Sequence, residues 1–250
     1  MQKQTKRKKE FVVSLLDSGY GREAIAVIKS HSFLLNSKRR FFELAVRWNL
    51  LDVVDLLLDD ADPRVFSGTP RSLRMLAFLH KDERVDFSSQ FRSWFFHLAR
   101  CDNSDCVVYM IQHDLVTARD KTKAILTALT YGNLKVLQLL LDVENIALPN
   151  NLEESIREAS ENKEFESVEM FLRDKRVNIT FDIFMTVRKY RNKACIEAAA
   201  QRLDEQDAMR AIALVIEDCD KLALVALAQR EDFDNYSPEC VASASNAEQR

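Results

Sequence analysis

Four side chains able to ligate a metal or carry a nucleophile, His97, Cys101, Cys106 and His113, fall in one short stretch of the chain. His97 and Cys101 stand four residues apart, so on a helix they share a face. Structural zinc asks for close cysteine pairs, and this spacing offers none, so no metal ligand is assigned. The other histidines, His31 and His80, form no pair with a cysteine by spacing. Acidic pairs such as Asp59-Asp60 and Glu153-Glu154 lie at the ends of apolar runs, where solvation and the helix dipole account for them. Gly19-Tyr20-Gly21 lacks the strand and the third glycine of a dinucleotide fingerprint, and the segment FVVSLLDS before it reads as helix. No Walker motif occurs. The expectation is a chain with no catalytic residue, no cofactor and no enzymatic activity.

The elements that would position any site come from a unit that recurs. Residues 44–58 read LAVRWNLLDVVDLLL, residues 127–141 TALTYGNLKVLQLLL and residues 158–172 EASENKEFESVEMFL. A small residue opens each (Ala45, Ala128, Ala159), and a large apolar residue follows (Leu51, Leu134, Phe165). An apolar ladder then runs through Val54, Leu57 and Leu58, through Leu137, Leu140 and Leu141, and through Val168, Phe171 and Leu172. Ala99, Thr186 and Ile216 open weaker copies, at intervals of roughly thirty residues. Asn49, Asn103, Gly132, Lys163 and Tyr190 hold the place where the first helix of each unit should stop. Three of these are Asn or Gly, which tolerate the left-handed conformation that ends a helix. The second helix is amphipathic by the steps of three and four in its ladder. Such a unit cannot bury its apolar face alone and must stack on copies of itself.

A hidden unit fits between Ala45 and Ala99. Leu73, Leu76 and Leu79 give its second helix, with Thr69 as N-cap and Pro70 as first helical residue. Its first helix, near Val65 to Gly68, is eroded. A helix pair over about residues 5–18 and 21–30 caps the stack, turning at Gly19 or Gly21. Three segments result: a basic arm over 1–10, a repeat domain over 11–236 with about seven or eight degenerate copies, and a flexible tail over 237–250.

Composition agrees. The chain has 250 residues, 47% hydrophobic and 30% charged, with only 4 Gly and 4 Pro, which favours helices over a turn-rich β fold. A net charge of -3 argues against a bulk nucleic-acid binder. No run is long and apolar enough to span a membrane. The five cysteines, without a secretion signal, read as reduced thiols in a cytoplasmic or nuclear protein. Lys3, Lys6, Arg7, Lys8 and Lys9 can act as a nuclear signal or a polyanion contact.

The paired-helix pattern resembles the ankyrin repeat, in Ala45 to Leu58 and Ala128 to Leu141 above all. Asp62-Pro63 matches the stretch after the family's second helix, and Phe95-Phe96-His97-Leu98-Ala99 lies on its Thr-Pro-Leu-His-Leu-Ala segment. KDERVDF (81–87) and RDKRVNI (173–179) look like a connector of the large ankyrin arrays of amoebae and giant viruses. The resemblance implies an all-α solenoid of helix-turn-helix repeats with reduced hairpins. Tetratricopeptide and HEAT-type solenoids, with longer periods, are the structural alternatives. The resemblance also implies a non-catalytic, monomeric scaffold that binds a protein partner in its concave groove. The groove positions are the two residues after each small pair: Arg47 and Trp48, Cys101 and Asp102, Thr130 and Tyr131, Glu161 and Asn162, and Arg188 and Lys189. Trp48 has an alternative role, folding over the eroded unit to plug its gap. The functional alternative is a nucleic-acid or anionic-surface binder that uses the basic arm.

Because no closed ligand set is spaced along the chain, a strong chelator should leave the melting temperature unchanged. A fall that zinc reverses would make His97, Cys101, Cys106 and His113 the first ligands to test.

Overall fold

Breaker residues are scarce, so single backbone positions end most of the helices. The computed structural model describes residues 2–31, 34, 37–59, 68–143, 146–148, 152–230 and 233. The chain divides into two compact units, Met1–Thr117 and Ala118–Arg250. The first holds α1 (Gln2–Asp17), α2 (Gly21–Ser30), α3 (Lys38–Arg47), α4 (Leu51–Leu58), α5 (Leu73–Lys81), α6 (Ser88–Arg100) and α7 (Ser104–Gln112). The second holds α8 (Ala118–Thr130), α9 (Leu134–Asp142), α10 (Leu152–Glu161), α11 (Phe165–Arg173), α12 (Phe181–Lys189), α13 (Lys193–Ala200), α14 (Glu205–Glu217) and α15 (Lys221–Ala228). No strand occurs among the described residues, and the fold class is all-α.

The turn inside every pair has one residue at positive φ: Gly19, Asn49, Asp102, Gly132, Lys163, Arg191 and Cys219. In most of them the amide after that residue donates to a carbonyl five residues back. The bonds run from Leu50 to Ala45 at 2.8 Å, Asn103 to Leu98 at 3.0 Å, Asn133 to Ala128 at 2.9 Å, Glu164 to Ala159 at 2.9 Å and Asp220 to Val215 at 3.0 Å. This is the Schellman closure, which satisfies carbonyls that a helix end leaves orphaned. Asn49, Gly132 and Lys163 stand where the sequence places the stop. Asn103 and Tyr190 do not; their neighbours Asp102 and Arg191 turn left-handed instead.

The register of the weaker copies therefore shifts by one. Leu98, Val187 and Val215 take the place of Ala45, and not Ala99, Thr186 and Ile216. Burial agrees: Val187 and Val215 are buried, whereas Ile216 is 51% exposed. A search for small residues misses these copies because the position requires burial and a carbonyl acceptor, which Leu and Val also supply.

Within each unit the helices form two layers. In the first unit α1 packs on α3, α2 on α4, and α5 on α7. In the second, α8, α10, α12 and α14 pack in succession, as do α11, α13 and α15, with α9 against α11. The ladders Val54-Leu57-Leu58, Leu137-Leu140-Leu141 and Val168-Phe171-Leu172 are buried. In α5, Leu76 and Leu79 are buried but Leu73 is 43% exposed. The start of α5 also differs from expectation. Ser72, not Thr69, is its N-cap and accepts from the Met75 amide at 3.3 Å. Pro70 precedes the helix, buried in a non-helical segment.

That segment, Gly68 to Ser72, lies beside α3. Gly68 has φ +143°, and a Cβ there would sit 3.3 Å from the Glu43 Cα, so only glycine fits without displacement. Phe42 of α3 stacks on Phe87 at 6.2 Å, and Phe87 and Phe91 both pack on Trp94. Residues 65–67 of the eroded helix, Asp62-Pro63 and the 237–250 tail lie outside the described residues. The boundary at residue 10 falls inside α1.

The connector motif has a packing role. In Asp82-Glu83-Arg84, Asp82 accepts from the Arg84 amide at 3.0 Å, and in Asp174-Lys175-Arg176, Asp174 accepts from the Arg176 amide at 2.9 Å. Each turn aims its guanidinium at an earlier second helix. Arg84 donates to Asp55 of α4 at 2.6 Å, and Arg176 to the Leu141 carbonyl of α9 at 2.6 Å. Arg202 reaches the Leu172, Asp174, Lys175 and Val177 carbonyls, and Arg230 the Ala200 and Leu203 carbonyls. Cations at helix C-termini complement the dipole as well as the orphaned carbonyls.

Two turn substitutions should move stability in opposite directions in urea titrations. Gly132→Ala puts a side chain at φ +70° and into the Glu164 carboxylate, and should lose about 1–2 kcal/mol. Lys163→Gly relieves a left-handed lysine and should gain about 0.5–1 kcal/mol. Equal effects at the two sites would contradict the shared conformation.

Candidate functional site

The groove positions lie at the ends of first helices, where the left-handed turns begin. In the second unit they are occupied with one another. Thr130 is buried, and its carbonyl accepts from Asn162 Nδ2 at 3.1 Å. Glu161 accepts from Arg157 Nη1 at 2.6 Å and from the Tyr190 hydroxyl at 3.2 Å. Arg188 is not a groove residue. Its side chain is 11% exposed and pairs with Asp218 at 2.8 Å and Asp220 at 2.7 Å in the next turn. The one-residue register shift explains this, since Lys189 and Tyr190 are the positions equivalent to Arg47 and Trp48. Lys189 is exposed, with its ammonium 5.9 Å from the Tyr190 ring centroid, and Tyr131 is 45% exposed.

The first unit differs. Arg47 ends α3 and is exposed, and Trp48 is 49% exposed. The Trp48 indole N–H donates to Asp17 at the end of α1 at 3.4 Å, so the ring leans on the preceding pair and does not plug the Gly68–Ser72 side. On that side a slot of about 260 Å³ opens between α3 and α6, lined by Glu43, Arg47, Gly68, Thr69, Arg71 and His97. Asn103 Nδ2 donates to the Arg71 carbonyl at 2.7 Å and holds that wall against the α6–α7 turn. Among the described residues neither Arg47 nor Arg71 makes an ion pair, whereas Arg84, Arg157, Arg176 and Arg188 all do. Burial first, then the Arg71 and Arg100 charges, hold the His97 imidazole below its ordinary pKa. The slot is thus electropositive. Composition could not single out Arg71, because its place follows from the non-helical segment that leads into α5.

The possible metal ligands do not converge. His97 Nε2 lies 3.7 Å from Cys101 Sγ, while the His113 ring lies tilted against Tyr109 at 4.2 Å and stands 5.2 Å from the His80 ring. No group of three or more His, Cys, Asp or Glu among the described residues is placed to hold a metal. The Cys106 thiol is pushed up to about 11, by burial first and then by Asp105. The Cys195 thiol is pushed up to about 12, again chiefly by burial. Thiols so protonated are poor nucleophiles.

The basic residues of the N-terminal cluster gain neighbours. Lys6 and Lys9 of α1 and Arg39 and Arg40 of α3 line a second cleft of about 620 Å³, together with Glu10 and Glu43. No described helix is long and apolar enough to cross a membrane. No family model matches this chain, and no curated protein or solved structure matches it either.

Two measurements follow from these environments. Alkylation of the native protein should modify the exposed Cys101 and Cys219 and leave Cys106 and Cys195 unmodified until denaturant is added. His80 is also held below the ordinary histidine value of 6.5, by burial first and then by His113 and Lys81. The unfolded chain regains that ordinary value, so below about pH 6.5 it binds more protons than the fold does. Stability should fall as the pH drops from about 6.5 through the folded-state values, and His80→Gln with His97→Gln should flatten that slope. A slope unchanged by both substitutions would assign the acid sensitivity elsewhere.

Proposed function

We propose that the chain is a non-catalytic protein-interaction scaffold, built as an ankyrin-like stack of helix pairs with reduced hairpins. Support comes from a left-handed residue in the turn of every described pair and from the two-layer packing inside each unit. Each pair contacts its neighbours and leaves its turn edge open, the arrangement that repeat scaffolds use to present long binding surfaces. The chain binds a protein segment along the turn edge of α3 and α6. The observation that carries this reading is an electropositive slot whose Arg47 and Arg71 make no ion pair among the described residues; Trp48, next to Arg47 in the chain, stays half exposed on the α1 side of α3. Arg and Trp are the types that most often anchor interfaces. The equivalent edge of the second unit uses its polar groups on itself.

Trp48→Ala should weaken capture of the cellular partner by about 2 kcal/mol or more with little change in the unfolding midpoint. A lowered midpoint with unchanged affinity per folded molecule would make Trp48 a packing residue and remove the anchor.

A second reading draws on the cleft between α1 and α3, where Arg39 and Arg40 join Lys6 and Lys9. Those four cations favour a nucleic-acid or anionic-surface contact. Such binding would weaken steeply with added salt and would be lost with Lys9→Gln and Arg39→Gln, whereas Trp48→Ala would leave it unchanged.

A further inference from the structure

We propose that the slot between α3 and α6 is a carboxylate clamp: Arg47 and Arg71 grip an acidic side chain of a partner's peptide segment. The proposal rests on the scaffold reading and names the chemistry of its partner. Arg47 ends α3, and Arg71 lies in the non-helical segment that leads into α5. Both guanidiniums lack an ion pair among the described residues, and both line the same slot of about 260 Å³. That volume admits one or two carboxylate side chains and is too small for a helix. A guanidinium offers paired N–H donors that match the two oxygens of a carboxylate.

His97 forms the inner wall. Its neighbours are Arg71, Arg100 and Cys101, and with Glu43 as the one carboxylate among the described lining residues the slot favours an arriving anion over a cation. Once a carboxylate enters, its charge favours the imidazolium, so His97 takes up a proton and becomes a further donor to the ligand. Glu43 opposes the same anion. The half-exposed Trp48 follows Arg47 in the chain with its indole turned to Asp17 of α1, so a segment that continues from the slot across the end of α3 meets a ring to pack on. An acidic-aromatic or acidic-aliphatic peptide therefore fits better than a nucleic acid, whose repeating phosphates need a long basic track that this slot does not offer.

The test uses the full chain and a capped hexaglutamate peptide, with capped hexaglutamine and inorganic phosphate as controls. Proton NMR follows the His97 ring, assigned with His97→Gln. Hexaglutamate should raise the His97 pKa by about half a unit or more, and added salt should weaken the effect. Hexaglutamine should do nothing. Arg47→Gln and Arg71→Gln should each abolish the shift, and Glu43→Gln should strengthen binding, a gain that misfolding cannot produce. No His97 response to hexaglutamate, a response retained in both arginine variants, or an equal response to phosphate alone would each overturn the clamp. The scaffold reading fails separately. A captured partner lost with Trp48→Ala but kept by the Arg47→Gln/Arg71→Gln double variant overturns the clamp and keeps the scaffold. Capture indifferent to all three overturns both.

Discussion

In most helix pairs here, the amide that follows a left-handed residue donates to a carbonyl five residues earlier, and much of the remaining structure follows from that bond. It ends the first helix without leaving its last carbonyls unpaired. The residue after the left-handed one often caps the next helix as well. Asn103, Asn192 and Asp220 accept from the amides of Cys106, Cys195 and Ala223 at 3.3, 3.1 and 3.2 Å. Two adjacent residues thus end one helix and begin another, which fixes the direction in which the chain turns back. Lys163 and Cys219 adopt a conformation that is unfavourable for a side chain, and the closure offsets it.

Fixing the turns aligns the ends of the first helices, and that alignment lets successive pairs bond to one another. In the second unit Asn162 reaches Thr130, Tyr190 reaches Glu161, and Arg188 reaches Asp218 and Asp220. On the opposite edge Arg176, Arg202 and Arg230 extend backwards to carbonyls of an earlier second helix or its connector. Both edges of that unit are therefore internally satisfied. The first unit departs from this where Gly68 to Ser72 runs extended beside α3. There a slot opens whose arginines, Arg47 and Arg71, make no ion pair among the described residues.

The sequence disclosed the helix pairs because their signal is local. The ladders of α4, α9 and α11 are apolar at helical spacing, and Ala45, Ala128 and Ala159 are both small and the carbonyl acceptors of the turn. Where the acceptor is Leu98 or Val215 the size cue fails, although the closure is the same. The same slip counts Arg188 among the expected groove positions, whereas its side chain turns toward Asp218 and Asp220. Trp48 and Arg47 were legible because their copy is well matched. Arg71 was not, since a residue in an extended segment has no period to betray its neighbours. The reach of Arg176 and Arg202 was equally hidden, because it depends on contacts with residues about thirty positions earlier in the chain.

The most direct test of the shared closure is hydrogen exchange at the amides of Leu50, Asn103, Asn133, Glu164 and Asp220. Each should exchange as slowly as the helical amides on either side, because each is bonded to a carbonyl of the preceding helix. Exchange of these five amides at the rate of an unstructured chain, while the flanking helices remain protected, would contradict it.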